Sequence, residues 1–208
     1  MKKLLLSMGL LLVFLAGCGS QNETNGGEDE SLNSQSSQTP VNPSNAESYN
    51  FENAVIVYYS LTENTEEVAN EIQSQTGLDL YKIEPVEPYP TAYSEVAGLV
   101  RDQQADGIFP DLEELNLDLS QYETIFVGSP TWHGYISQPV QKWLMDSDLA
   151  GKNIAPFFTS GSQPIEDPQS DLRALIPDST IAPELSMDHS PRDDIDESVS
   201  AWLSSLTF

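Results

Sequence analysis

Apolar residues in this chain fall into short continuous runs alternating with stripes at helical spacing, and the alternation begins at Ala54. Residues 54–59, AVIVYY, form a β-branched and aromatic run short enough for a strand buried on both faces. Residues 60–65, SLTENT, then place hydroxyls and an amide where a loop belongs. Asn64 can cap the following helix, Glu67 can close a capping box, and Gly77 can end it. A second strand is expected at 79–83, stopping before Pro85. Between Pro85 and Pro110, residues Tyr93, Val96, Ala97 and Val100 recur at i, i+3, i+4 and i+7, which predicts one helix with those four packed inward.

Beyond an acidic, weakly patterned connector at 112–119, a third strand at 124–127 runs into GSPTWHGY at 128–135. Ser137 can cap a helix opened by Gln138 and Pro139, with Val140, Trp143 and Leu144 on one face. A fourth strand at 152–158 is assigned against the objection of Pro156, which cannot donate to a central ladder. It leads into TSGSQ at 159–163, a helix at 168–175 and a short fifth strand at 180–182. The last helix has Ser190 as its cap, Pro191 in its first turn, and a stripe of Ile195, Val199, Trp202, Leu203 and Leu206.

Strands alternating with helices imply an α/β fold, a doubly wound parallel sheet covered on both faces. In such sheets ligands bind beyond the carboxyl ends of the strands. The three hydroxyl-rich loops follow the first, third and fourth strands, so they converge on one rim. The first of them opens a helix, whose leading N–H groups lack internal partners and attract anions. Ser60, Thr62 and Thr65 add hydroxyl donors to that turn.

The amino-terminal quarter changes the picture of where this domain works. Lys2 and Lys3 precede an apolar run at 4–16 that is too short to span a bilayer, the layout of a secretory signal covering 1–17. The stretch LAGCG at 15–19 resembles the bacterial lipobox, making Cys18, the single cysteine, a lipidation site and the new N-terminus. Residues 18–50 then read as a lipidated cysteine and a disordered tether, because 20–50 contain no Lys or Arg and almost no large apolar residue. Such a tether spans about 30 Å on average. The folded domain is expected at 51–208, on the extracytoplasmic face of the bacterial cell membrane. The formal net charge is −25, and loss of the signal, which holds two lysines and no acid, makes it more negative. That charge excludes nucleic acid as a partner, since phosphate backbones need the opposite sign. No zinc-type His/Cys cluster and no nucleophile triad stands out, so metal chemistry and hydrolysis are not expected and no catalytic residue is assigned.

The domain resembles the flavodoxins, on three motifs. GSPTWHGYISQPVQKWL at 128–144 is similar to the GxPxWxGxxxxPVxxFL segment of one flavodoxin-like group. SLTENT is similar to the phosphate loop (S/T)xTGxT, and PFFTSGSQP at 156–164 to a PFxTSGG stretch. The resemblance implies a five-stranded sheet of order 2-1-3-4-5 and bound FMN. It places the FMN phosphate on Ser60, Thr62, Asn64 and Thr65. The ring falls between the loop of Pro130, Thr131, Trp132, His133 and Gly134 and the loop of Thr159, Ser160, Gly161 and Ser162, with Trp132 stacked on it. Gly134 tolerates positive φ and so permits a peptide flip towards the flavin; His133 is read as a surface residue of its loop.

Glu63 stands where the family pattern has Gly. A carboxylate about 6 Å from a phosphate charge costs nearly 3 kcal/mol per unit charge at an effective dielectric constant of 20, and under about 1 kcal/mol in bulk water. Its side chain must therefore point outward if FMN binds tightly, on a backbone that suits a residue other than Gly. Two function classes follow. One is a membrane-anchored FMN protein moving electrons to or from a redox partner protein or quinone, as a carrier or as a two-electron quinone reductase. The other is a cofactor-free lipoprotein that keeps the fold as a binding module.

Overall fold

The computed structural model describes residues 51–161, 167–188 and 194–208. The first strand, β1 (Ala54–Tyr58), is buried at all five positions. A turn feeds α1 (Asn64–Thr76), which stops at Gly77 with φ 72, the left-handed stop that glycine makes without penalty. Next come β2 (Asp79–Lys82), α2 (Tyr93–Asp106), a 3₁₀ turn at Leu119–Gln121, β3 (Thr124–Trp132), β4 (Tyr135–Ile136) and α3 (Gln138–Asp146). The chain finishes with β5 (Asn153–Ser160), α4 (Pro168–Leu175), β6 (Thr180–Ile181), β7 (Leu185–Asp188) and α5 (Ile195–Ser205).

β2, β1, β3, β5 and β6 lie side by side in that order and all run parallel. Successive strand side chains point to opposite faces, and β1 shows the consequence. Val55 and Val57 join a core with Val96 and Val100 of α2, Val140, Trp143 and Leu144 of α3, and Leu172 of α4. Ile56 and Tyr58 join the opposite core with Val68 and Ile72 of α1 and Val199, Trp202 and Leu203 of α5. Both faces are thus covered, which is why the central strands read as unbroken apolar runs. Close approach is tightest at Gly128 of β3, where a Cβ atom would lie 2.2 Å from Phe157 Cζ and 2.8 Å from Tyr58 Cβ.

The expected strand order holds once two additions are recognised. β3 runs nine residues rather than four, because Gly128–Trp132 continues as strand and folds back on β4. The last position in the sheet is divided between β6 and β7, both paired with β5. Pro156 is tolerated in the central strand because of that division. The carbonyl of Ile154 accepts the Ala182 N–H at 2.9 Å, so alternate residues 154, 156 and 158 aim their backbone groups towards β6 and β7. Pairing there covers 153–154 and 157–160 only, and the N–H that Pro156 lacks falls in the gap.

Four local expectations are corrected. Asn64 is the first helical residue of α1, not its cap; the cap position is Glu63, and no side chain caps that end. Ser137 does precede α3, but its hydroxyl turns to Ser129 Oγ at 2.9 Å instead of capping. On α2 only Val96 and Val100 are buried, while Tyr93 stays 82% exposed. The connector at 112–119 is less idle than it reads, since Leu112, Leu115, Leu117 and Leu119 pack against the α2 side core. The signal at 1–17, Cys18, the tether, Ser162, Ser190 and Pro191 lie outside the described residues. Among the described residues no helix is long and apolar enough to cross a membrane, and no cluster of acidic, His or Cys side chains could hold a metal.

Candidate functional site

Strand register brings three carboxyl ends to one rim: Tyr58 of β1 is level with Gly128 of β3, and Gly128 with Phe157 of β5. Beyond that level β1 gives way to the first hydroxyl-rich segment, while β3 and β5 run on into the second and third. A cavity of about 360 Å³ opens among them, within the size range of small-molecule sites. Of the thirteen positions expected to hold a cofactor, ten line it. These are Thr62 and Asn64 from the first turn, Pro130, Thr131, Trp132, His133 and Gly134 from the second segment, and Thr159, Ser160 and Gly161 from the third. Ser60 and Thr65 are buried behind the wall, and Ser162 lies outside the described residues.

The end of the cavity at α1 is suited to an anion by backbone rather than by charge. The first N–H groups of α1 have no carbonyl within the helix to receive them. Thr62 and Asn64 stand beside them on the wall. No Lys, Arg, Asp or Glu lines the cavity among the described residues. The nearby Lys82 ammonium is engaged by Glu66 at 2.8 Å and Glu84 at 3.8 Å. Glu63 is exposed and off the wall, as a site for an anion demands. Its backbone, however, sits at φ 65 and ψ −15. That is the left-handed region, which costs a residue other than Gly about 1–2 kcal/mol. The backbone here is therefore one that glycine would suit better, contrary to the expectation of a conformation fitted to Glu.

Trp132 forms the other end, and its indole is braced from behind. Its ring centroid lies 5.6 Å from Tyr59 in an edge contact and 5.0 Å from Tyr89 in a tilted one. Burial pushes the Tyr89 phenol up to about 12, with a hydrogen bond to Gln103 pulling partly back. Burial, reinforced by Tyr89 and Glu84, also raises Tyr59. Both phenols are neutral at physiological pH, so the indole rests on uncharged rings. α2 fixes the adjoining backbone: Gln104 Nε2 donates to the Trp132 carbonyl at 3.3 Å, and His133 Nε2 lies 3.2 Å from the Ala97 carbonyl. His133 is otherwise exposed, as its reading as a surface residue requires.

The turn at the tip of this segment is a two-residue hairpin joining β3 to β4, with His133 at φ 51 and Gly134 at φ 85. Two central residues at positive φ mark the type I′ geometry that suits strand twist. Flipping its central peptide would give the type II′ form, which takes Gly at the first central position. His133 occupies that position, so the freedom expected of Gly134 alone does not suffice for a flip.

Part of the wall was not foreshadowed by the motifs. Leu61 contributes from the first turn, and Thr91, Tyr93, Val96, Ala97 and Val100 contribute from α2 and its approach. The legible signal was Tyr93: the apolar stripe of α2 runs one turn further than the core can bury. That surplus is what forms the rim.

The fold has counterparts. The family model described as Flavodoxin matches residues 53–206. Among solved structures, a protein described as a flavoprotein from Bacteroides eggerthii DSM 20697 is similar at 24% identity and TM-score 0.64, covering 74% of this chain and 97% of its own. A flavoprotein in complex with FMN from Lactobacillus acidophilus NCFM is similar at 22% identity and TM-score 0.57, covering 71% of this chain and 98% of its own. At these identities the likeness to solved structures shows the fold. No curated protein matches the chain.

Proposed function

The chain belongs to the flavodoxin family, and on that premise we propose that it binds FMN and passes electrons on the extracytoplasmic face of a bacterial cell membrane, anchored there by a lipid on Cys18. The observation that carries the reading is the cavity at the meeting of three strand ends, with the N-terminal backbone of α1 at one end, a braced indole at the other and, among the described residues, no carboxylate on its wall. When bound, FMN supplies the redox chemistry, and the protein supplies position and electrostatics. The free N–H groups of α1, the Thr62 hydroxyl and the Asn64 amide would hold the phosphate. Trp132 would offer the ring an apolar face, worth about 0.5–1.5 kcal/mol beyond its buried area. Val96 and Val100 would keep water from the inner edge. The large negative charge disfavours a further negative charge on the reduced cofactor and lowers its potential. The electrons would be exchanged with a redox protein or a quinone.

Titrating the purified protein with FMN, while following flavin and tryptophan fluorescence, tests the cofactor. Saturable quenching at submicromolar FMN that weakens in Trp132→Ala is the expected result. Absence of binding at high FMN leaves the second reading, a cofactor-free binding module, which Glu63 in place of the family pattern's Gly favours. The anchor is tested separately: palmitate labelling of the protein in a bacterial host should be lost, and the protein released, in Cys18→Ala.

A further inference from the structure

Two buried hydroxyls, one on the cavity wall and one behind it, face each other between α1 and β5. Thr65 Oγ1, in the first turn of α1, lies 2.7 Å from Thr159 Oγ1, at the end of β5; the two residues are 1% and 3% exposed. Each hydroxyl carries one proton and can accept two. Their mutual bond uses one proton, and the other is left for an acceptor outside the pair. Thr159 is tied on its far side as well, because its carbonyl accepts the Thr131 hydroxyl at 3.3 Å. Three threonines, from α1, β5 and β3, thus form one thread that joins the three loops of the rim. Thr131 and Thr159 are both on the cavity wall.

Direction in this thread matters, because among the described residues the wall carries no Lys or Arg, and recognition of an anion at the α1 end depends on oriented neutral donors. If Thr159 donates to Thr65, the Thr65 proton is released towards the N-terminal end of α1, where an anion would lie, and the two bonds polarise each other. We infer that Thr159 is a positioning residue for the phosphate: from the ring side of the cavity it orients the Thr65 hydroxyl, and so makes the site prefer FMN to riboflavin. This rests on the flavin-binding reading above, and it assigns to a β5 residue a part in selecting a group bound at α1.

The test compares dissociation constants for FMN and riboflavin in the wild type, Thr159→Val, Thr159→Ser, Thr65→Val and the Thr65→Val/Thr159→Val double variant. Valine keeps shape and strand preference while removing the hydroxyl. The thermal midpoint without flavin shows that each variant folds, and serine supplies a second variant that keeps the donor. Thr159→Val should weaken FMN binding about tenfold more than it weakens riboflavin binding, the effect of one hydrogen bond to a charged group. Thr159→Ser should recover most of the preference, and the double variant should bind FMN about as Thr65→Val does. Equal losses for both flavins, or additive losses in the double variant, overturn the proposal while leaving FMN binding intact. A wild type that binds neither flavin overturns the functional reading itself.

Discussion

Replacing Glu63 separates two effects that coincide at one residue, backbone strain and charge. Glu63 holds φ 65 immediately before α1, and an L-residue there costs about 1–2 kcal/mol relative to Gly. Gly in turn loses about 0.4–1 kcal/mol through the greater freedom of its unfolded chain. Against Glu63→Ala, which shares the strain and lacks the charge, Glu63→Gly should therefore be more stable by roughly 1 kcal/mol, or about 2–4 °C in Tm for a domain of this size. The charge is read from a different step. Glu63 is exposed, so its repulsion of a phosphate about 6 Å away follows the water limit, about 0.7 kcal/mol per unit charge. A phosphate with about 1.5 to 2 charges makes that about 1–1.4 kcal/mol, and Glu63→Gln should tighten FMN binding about five- to tenfold at low salt. In 1 M salt, where the screening length falls to about 3 Å, the gain should largely vanish. Thermal melts without cofactor and FMN titrations at two salt concentrations measure both. Equal melting of the Gly and Ala variants refutes the strain, and equal FMN affinity of Glu63→Gln and wild type at low salt refutes the repulsion.

Gly128→Ala should destabilise the domain by about 1–3 kcal/mol through overpacking, since its methyl would meet Phe157 at 2.2 Å; recovery by a second change, Phe157→Leu, in urea unfolding would identify the clash. Removing the tilted phenol ring behind the indole in Tyr89→Ala should weaken FMN binding several-fold and shift tryptophan emission to the red, because the 5.0 Å contact with Trp132 is lost; unchanged emission would show the indole to be held without it. Asp171 is raised by burial and by Asp167 against the pull of its bond from the Ile136 N–H, 3.0 Å long. A carboxyl raised in the folded state contributes most below its unfolded pKa, and that contribution is lost as pH rises through the folded value. Asp171→Asn keeps an acceptor for Ile136, so its Tm advantage over wild type should grow from pH 3 to pH 7. A flat difference across that range would refute the assignment.

The sheet order and the meeting of three loops were legible because each central strand is buried on both faces and each unusual loop directly follows one. What was not legible depended on partners distant in the chain. Pro156 reads as a strand breaker until the gap between β6 and β7 is seen to fall opposite it. Leu185 and Met187 alternate with Ser186 and Asp188 in the expected two-residue period, but four residues after Pro183 are too few to distinguish a strand from a loop. Tyr93 and Ala97 share the stripe of Val96 and Val100, and periodicity cannot say where the core ends and a cavity begins. The motif at Glu63 was read through its chemistry, whereas the informative quantity was its φ.

The interruption opposite Pro156 also bears on how the sheet meets other molecules. An unpaired strand edge is a template on which a foreign strand can assemble, and segments of about six or seven residues are the usual substrate. Here one outer margin is divided into pieces of two and four residues, and the other, β2, begins with Asp79 and ends with Lys82. Among the described residues neither margin offers a long uncharged run, so the division that accommodates the proline also denies neighbouring copies an edge on which to stack.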